Sequence, residues 1–129
     1  MGDAANWWDE VANSFITHYY TQFDASQETR IGLAGHYHAE SMLTFQGEAY
    51  LGAENIQAKL TSLTFKTCSH EPSSIVSQPA PNSGVLVMVS GMLQTDEDPA
   101  LPFSQVFHLL PANDSYYVYN DIFNLIIFG

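Results

Sequence analysis

Apolar residues return at three- and four-residue intervals through the opening of the chain, at Trp8, Val11, Ala12, Phe15, Tyr19 and Phe23. That spacing lays one apolar stripe along a helix. Asn6 or Asp3 is placed to cap this helix, and Asp9 and Glu10 suit the positive end of its dipole. Trp7 falls about 100° round the axis from Trp8, so the two tryptophans cannot share one environment. A second, short helix is predicted over residues 28–37. Segments 42–45 and 49–51 flank Gln46-Gly47 and read as a hairpin. Gly52 then leads into a third helix with Ile56, Leu60 and Leu63 facing inward and Lys59 outward.

From Phe65 onward the period changes to that of strands. Residues 65–77, 85–94, 102–110 and 116–127 are separated by turn chemistry at Pro81-Asn82-Ser83-Gly84, Asp96–Pro99 and Asn113-Asp114-Ser115. Short connections imply antiparallel pairing. The fold class is therefore α+β: three N-terminal helices cover one face of a meandering antiparallel sheet. An antiparallel strand with one wet face should alternate apolar and polar positions. Val85-Leu86-Val87-Met88-Val89 does not, and the last strand barely does. Three helices cannot cover both faces of such a sheet, so a homodimer joined through the sheets is expected.

At 129 residues the chain is a single domain with one core, spanning residues 1–129. Fourteen Asp and Glu stand against three cations, Arg30, Lys59 and Lys66. That balance argues against nucleic acid, whose phosphates need clustered Lys and Arg, and against an anionic membrane surface. It favours a basic protein partner. Cys68 is the single cysteine, which excludes an internal disulfide and a Cys-based zinc site. The start of the chain has no basic patch followed by an apolar stretch, so the expectation is an unsecreted, intracellular protein. Asn113-Asp114-Ser115 matches a glycosylation sequon and is read as a plain turn.

Asp96-Glu97-Asp98-Pro99 sharpens the charge argument. It lies between two apolar runs, residues 85–93 and 101–110, and no Lys or Arg follows Lys66. Three carboxylates at one turn repel each other and lack a charged partner nearby in sequence. Solvent absorbs that charge, or a basic partner does.

An ordered set of residues carries a family resemblance along nearly the whole chain. It comprises Met1-Gly2-Asp3, Trp8, Phe15-Ile16, His18-Tyr19-Tyr20, Phe23-Asp24, Leu43-Thr44, Leu63 and Phe65. It continues through Val89-Ser90-Gly91, the acidic tetrad, Phe103, Gln105, Phe107, Asn120-Asp121-Ile122-Phe123 and Phe128-Gly129. In this set the chain resembles the nuclear transport factor 2 family, small carriers that bring the GTPase Ran in its GDP form into the nucleus. The resemblance implies a cone-shaped fold with a strongly bent sheet, dimerised through the sheet's outer face. It also implies a cavity between helices and sheet that receives an aromatic side chain of the GTPase switch region. Positions matching the cavity lining are Phe45, Leu63, Cys68, Leu101, Ile122 and Phe123. Asp96 and Asp98 match two rim carboxylates that pair with basic switch residues. The third family carboxylate, a Glu, falls at Gln46, and the family Trp beside it is Phe45 here. Trp8 matches a tryptophan that helps bind the Phe-Gly repeats of nucleoporins. The implied locations are cytoplasm, nucleus and nuclear pore. No cofactor is implied, and the chain has no phosphate-cradling glycine loop, so a GTPase partner would be recognised by its conformation rather than through its nucleotide.

Other chemistry is weaker. His36-Tyr37-His38 puts two imidazoles on one face only in an extended segment and lacks a third ligand, so no metal is expected. A strand reading brings His70 near Asp96, as a structural contact or an acid–base couple. Ketosteroid isomerase and scytalone dehydratase resemble this architecture and do acid–base chemistry in the equivalent cavity, which makes an isomerase or dehydratase the alternative function. A heterodimerising partner like the messenger-RNA export cofactor of the same fold is a third. The acids here gather at a turn and the tyrosines on one strand, which suits a rim and sheet packing better than a catalytic floor, so no enzyme is expected. Cys68, with no helix N-terminus to activate it, is assigned to packing.

Overall fold

The computed structural model describes residues 6–126. The positions assigned above to residues 1–5 and 127–129, including the Asp3 cap and the terminal motifs, lie outside that range. Helix α1 (Trp7–Ala25) buries Ala12, Ile16, Tyr19, Tyr20 and Phe23, the stripe that the periodicity draws. Asn6 takes the N-cap position with extended backbone, but its side chain makes no capping hydrogen bond. Helix α2 (Gln27–Ile31) starts from a capping box in which Ser26 and Thr29 bond reciprocally. It stops earlier than the predicted 28–37. Gly32–His36 tightens into a 3-10 turn, and Tyr37 already begins strand β1 (Tyr37–Phe45). Strand β2 (Glu48–Leu51), helix α3 (Ala53–Thr61), β3 (Cys68–Ala80), β4 (Gly84–Thr95), β5 (Leu101–Ala112) and β6 (Ser115–Leu125) complete the chain.

The six strands form one sheet in the order β2-β1-β6-β5-β4-β3. The strands joined by short turns, β1 with β2, β3 with β4, β4 with β5 and β5 with β6, pair antiparallel, as those turns require. The exception to the all-antiparallel expectation is β1 against β6, which run parallel. These strands are neighbours in space but not in sequence, so no turn constrains their direction. The hairpin turns carry left-handed backbone at Gln46-Gly47 and at Asn113-Asp114, the two-residue geometry that Asn, Asp and Gly favour. Pro72 and Pro79 are tolerated because β3 is an edge strand. A bulge at Pro72–Ser74 lies opposite Gly91, where a Cβ would meet the Glu71 carbonyl oxygen at 2.2 Å. Only glycine fits there, and the bulge bends the sheet.

Odd-numbered positions of β4 and β5 face the helices. Val85, Val87, Val89, Phe103, Phe107 and Leu109 are all essentially solvent-free. Even-numbered positions face the other way, and among them Leu86, Met88, Met92, Val106 and Leu110 are apolar. Val76, Met88, Val106 and Ile122 pair in register across four strands, and Val76, Met88 and Ile122 are 52%, 51% and 51% exposed. The run that fails to alternate in sequence thus alternates in burial, and its second face is an unpartnered apolar row.

Candidate functional site

Between α1, α3 and the concave face of the sheet lies a cavity of about 210 Å³. Phe23, Leu43, Leu60, Leu63, Phe65 and Leu93 supply most of its apolar wall, with Phe45 stacked on Phe123 at 4.9 Å between ring centroids. Apolar cavities of about 150 Å³ hold a benzene ring, so this one has room for a single aromatic group. Lys59 places its ammonium 4.7 Å from the Phe45 ring centroid, a cation–π contact on one wall residue.

Of the six positions assigned to the lining, Phe45, Leu63 and Phe123 belong to it. The other three do not. Ile122 alternates with Phe123, and the inward Phe123 sends it to the convex face. Leu101 pairs with the lining residue Leu93 but is 37% exposed and does not itself line the cavity. Cys68 is buried beside His70, behind the wall rather than in it.

The rim residues are partly committed to the fold. Asp96, with φ 51°, accepts the backbone N–H groups of Lys66 and Thr67 on one carboxylate oxygen, at 2.8 and 3.0 Å. The Thr67 N–H foremost, then those of Lys66 and its charge, hold the Asp96 carboxyl below the usual carboxylate range. No cation is near the tetrad in sequence, but the loop before β3 brings the Lys66 backbone alongside Asp96, so part of the tetrad's charge is met within the chain. Asp98 is exposed, and its backbone carbonyl accepts from the Gln94 amide. Gln46 accepts the Leu125 N–H on its side-chain oxygen at 3.0 Å. Gln46 directly follows Phe45, and Asp96 directly follows Thr95, both lining residues, so the two stand at the cavity's edge.

The polar floor is the part that sequence reasoning missed. Asp121, fully buried, accepts from Tyr37 Oη at 2.7 Å and from Gln105 Nε2 at 2.8 Å. Tyr19 Oη and Tyr37 Oη lie 2.5 Å apart, and Tyr20 Oη donates to Gln105 Oε1 at 2.7 Å. Burial pushes the Asp121 carboxyl up to about 6, opposed by the Gln105 and tyrosine hydrogen bonds. Burial, reinforced by Asp121, raises the Tyr19, Tyr20 and Tyr37 phenols well above their ordinary range. The one readable signal was positional: Gln105 and Asp121 occupy inward places in otherwise apolar strands. Each oxygen of Asp121 accepts a hydrogen bond from within the chain, so this network braces the cavity floor. His70 pairs with Asp24 at 2.7 Å, not with Asp96 as its strand position implied. The end of α1 reaches over β3 and supplies the nearer carboxylate.

Trp8 is half-buried against the core, while Trp7 is 43% exposed and meets it edge to face at 5.8 Å. His36 ends the 3-10 turn and His38 lies in β1 stacked on Tyr117, so the pair is split between two elements.

The family model for the nuclear transport factor 2 (NTF2) domain matches residues 11–125. Nuclear transport factor 2B of Arabidopsis thaliana is 52% identical over 91% of this chain and 93% of its own length. The chain belongs to the nuclear transport factor 2 family. Within that family, nuclear transport factor 2 of Saccharomyces cerevisiae is 47% identical over 89% of this chain and 91% of its own. The solved nuclear transport factor 2 of Cryptosporidium parvum superposes with a TM-score of 0.88 at 37% identity, covering 92% of this chain and 94% of that one. A scytalone dehydratase-like protein from Novosphingobium aromaticivorans, at 12% identity and a TM-score of 0.81, shares the fold alone. The two curated relatives carry the names of transport factors, and the likeness to the dehydratase-like protein carries no function.

Proposed function

We propose that this chain is a nuclear import carrier that binds the GDP form of the small GTPase Ran and Phe-Gly repeat nucleoporins, moving between cytoplasm and nucleus through the pore. The supporting observation is the cavity, apolar along its wall, with Asp96 and Gln46 at its edge and exposed Asp98 close by in sequence. An aromatic ring of the partner enters the cavity, and cations of the partner meet the carboxylates. A buried ring contributes about 1.5–3 kcal/mol and a half-exposed ion pair about 0–1 kcal/mol, so the ring carries affinity and the rim sets orientation. Asp96 serves twice, since one oxygen holds the Lys66–Thr67 loop and its remaining lone pairs face a partner. Gln46 keeps an acceptor where the family resemblance implies a Glu. Gln46→Glu is expected to tighten the complex by up to about tenfold.

The partially accessible Trp8, with Trp7 beside it, is the proposed contact for Phe-Gly repeats. Trp8→Ala should lower repeat capture and spare GTPase binding. The convex row of Val76, Met88, Val106 and Ile122 is the proposed homodimer face. A chain that stays monomeric when concentrated would instead favour the heterodimerising reading.

The deciding experiment compares capture of GDP-loaded and GTP-loaded Ran by wild type, Asp96→Asn and Asp98→Asn. The expected outcome is a preference for the GDP form that weakens with salt and disappears in both variants. Equal capture of the two nucleotide states would overturn the proposal.

A further inference from the structure

Asp24, Cys68 and His70 meet where the last turn of α1 crosses the first residues of β3. One ligand-type atom from each, Oδ, Sγ and Nδ1, lies within 4.8 Å of the others. Cys68 and His70 are two apart on a strand, so they share a face. Asp24 sits at the negative end of the α1 dipole, in a last turn that carries no basic residue. An acid is unfavourable there and a cation favourable. We propose that these three residues form a binding site for a tetrahedral divalent transition ion, zinc by the chemistry of the donors. This is independent of the transport reading.

The donor set selects the ion. One sulfur, one imidazole nitrogen and one carboxylate oxygen suit zinc or cobalt and disfavour magnesium or calcium, which take oxygen. The spacing is close to that of a filled site. Ideal tetrahedral bonds separate nitrogen from oxygen by about 3.3 Å and sulfur from nitrogen by about 3.6 Å. The Cys68 Sγ to His70 Nδ1 distance is 3.9 Å and the Nδ1 to Asp24 Oδ1 distance is 2.7 Å. For these two pairs shifts of roughly half an ångström suffice, and the third pair, Cys68 Sγ and Asp24 Oδ, lies within 4.8 Å. The ligands are also held in place. The His70 ring stacks on Tyr20 at 4.2 Å and meets Phe23 and Phe103 edge-on, while Asp24 Oδ2 accepts the His70 N–H at 2.8 Å. Such supports orient metal ligands before the ion arrives.

Access comes from the surface. Asp24 is 22% exposed, against 2% for the His70 side chain, and both border a groove of about 240 Å³ beneath Thr17 and Thr21. Three protein ligands leave the fourth position to water from that groove. On binding, the Cys68 thiol releases its proton to solvent. The proton that His70 Nδ1 donates to Asp24 leaves that nitrogen while Nε2 takes one up from solvent, so the neutral ring presents the Nδ1 lone pair to the ion. Thiolate and carboxylate then neutralise the ion's two charges. The argument that a lone cysteine makes no zinc site counted thiolates; here His70 of the same strand and Asp24 of α1 supply the other ligands. Because His70 is part of the cavity wall, a bound ion would also stiffen that wall.

The test is a titration of the full chain, freed of metal with a chelator, with Co²⁺ and then Zn²⁺. Expected are saturation at one Co²⁺ per chain, an intense near-ultraviolet sulfur-to-cobalt band, and its loss when Zn²⁺ displaces cobalt. Cys68 is the single cysteine, so the band identifies the ligand in the wild type without any variant. Cys68→Ser should abolish the band, and Cys68→Ser, His70→Gln and Asp24→Asn should each weaken Zn²⁺ binding at least about tenfold. Zn²⁺ should raise the wild-type Tm by several degrees and leave that of Cys68→Ser nearly unchanged. Cobalt binding without the band, no stoichiometric binding, or an equal Zn²⁺-induced Tm rise in both proteins would each overturn the proposal.

Discussion

Two aspartates show how one residue type acquires opposite behaviour from its surroundings. Asp121 is buried among Tyr37, Tyr19 and Gln105, and its carboxyl titrates near 6 rather than 3.8. Between those values the native state binds more protons than the unfolded chain, so this residue makes stability fall as pH rises from about 4 to about 6. Asp121→Asn should flatten that part of a urea-midpoint profile, because the amide stays neutral and the Tyr37 hydroxyl can turn to accept from it. Asp96 is the reverse case. Its carboxyl is held below 3.8 by the Thr67 and Lys66 N–H groups, so the stability it supplies is present above that value and disappears as pH falls through its lower folded value. Asp96→Ala removes those acceptors and puts a Cβ-bearing residue without a polar side chain at φ 51°. Its Tm should drop by several degrees, while Asp98→Ala, at an exposed position, should leave Tm nearly unchanged. The sequence marked both Asp96 and Asp98 as rim charges. Only the loop packing separates the one that also braces the fold.

Elements follow from local rules where local rules act alone. The α1 stripe, the third helix and four long strands are where periodicity and turn chemistry put them, with ends shifted by a few residues. Helix α2 is the failure. Its pattern continues past Ile31, but Gly32 and Gly35 favour a tighter turn, and Tyr37 is drawn into β1, where its hydroxyl reaches Asp121. Pairing across the sheet outweighs helix propensity at this point. The bend between β3 and β4 rests on a single position. Gly91→Ala would press a methyl group onto the Glu71 carbonyl opposite the bulge, and the expected cost is about 3 kcal/mol, readable from the urea midpoint. If Gly91→Ala melts like wild type, the bulge is not what shapes the sheet.

At the scale of the whole molecule, the two faces of one sheet divide the work. The concave face is covered by helices and encloses the cavity; the convex face presents an apolar row that a single chain leaves in water. His108 adds to the imbalance, with Nε2 shielded from solvent and without a hydrogen-bond partner among the described residues. Met88→Glu places a charge in the middle of the row, where a paired sheet would bury it. Sedimentation should show the wild type as a dimer and this variant as a monomer with its helical signal intact. A wild type that sediments as a monomer would mean that the row has another occupant.

The amino-acid sequence by itself determined α1, α3, the succession of the strands along the chain and the excess of apolar surface over what three helices can cover. Those properties depend on period, turn residues and composition, all of which are local or additive along the chain. Only the tertiary structure decided which residues form the cavity floor and which carboxylate His70 meets. Tyr37 and Asp121 are 84 positions apart, Tyr20 and Gln105 are 85, and Asp24 and His70 are 46. A buried polar group needs a partner but does not specify where in the chain that partner lies. The parallel pairing of β1 with β6 and the passage of α1 over β3 bring these groups together, and no pattern within either segment records the encounter.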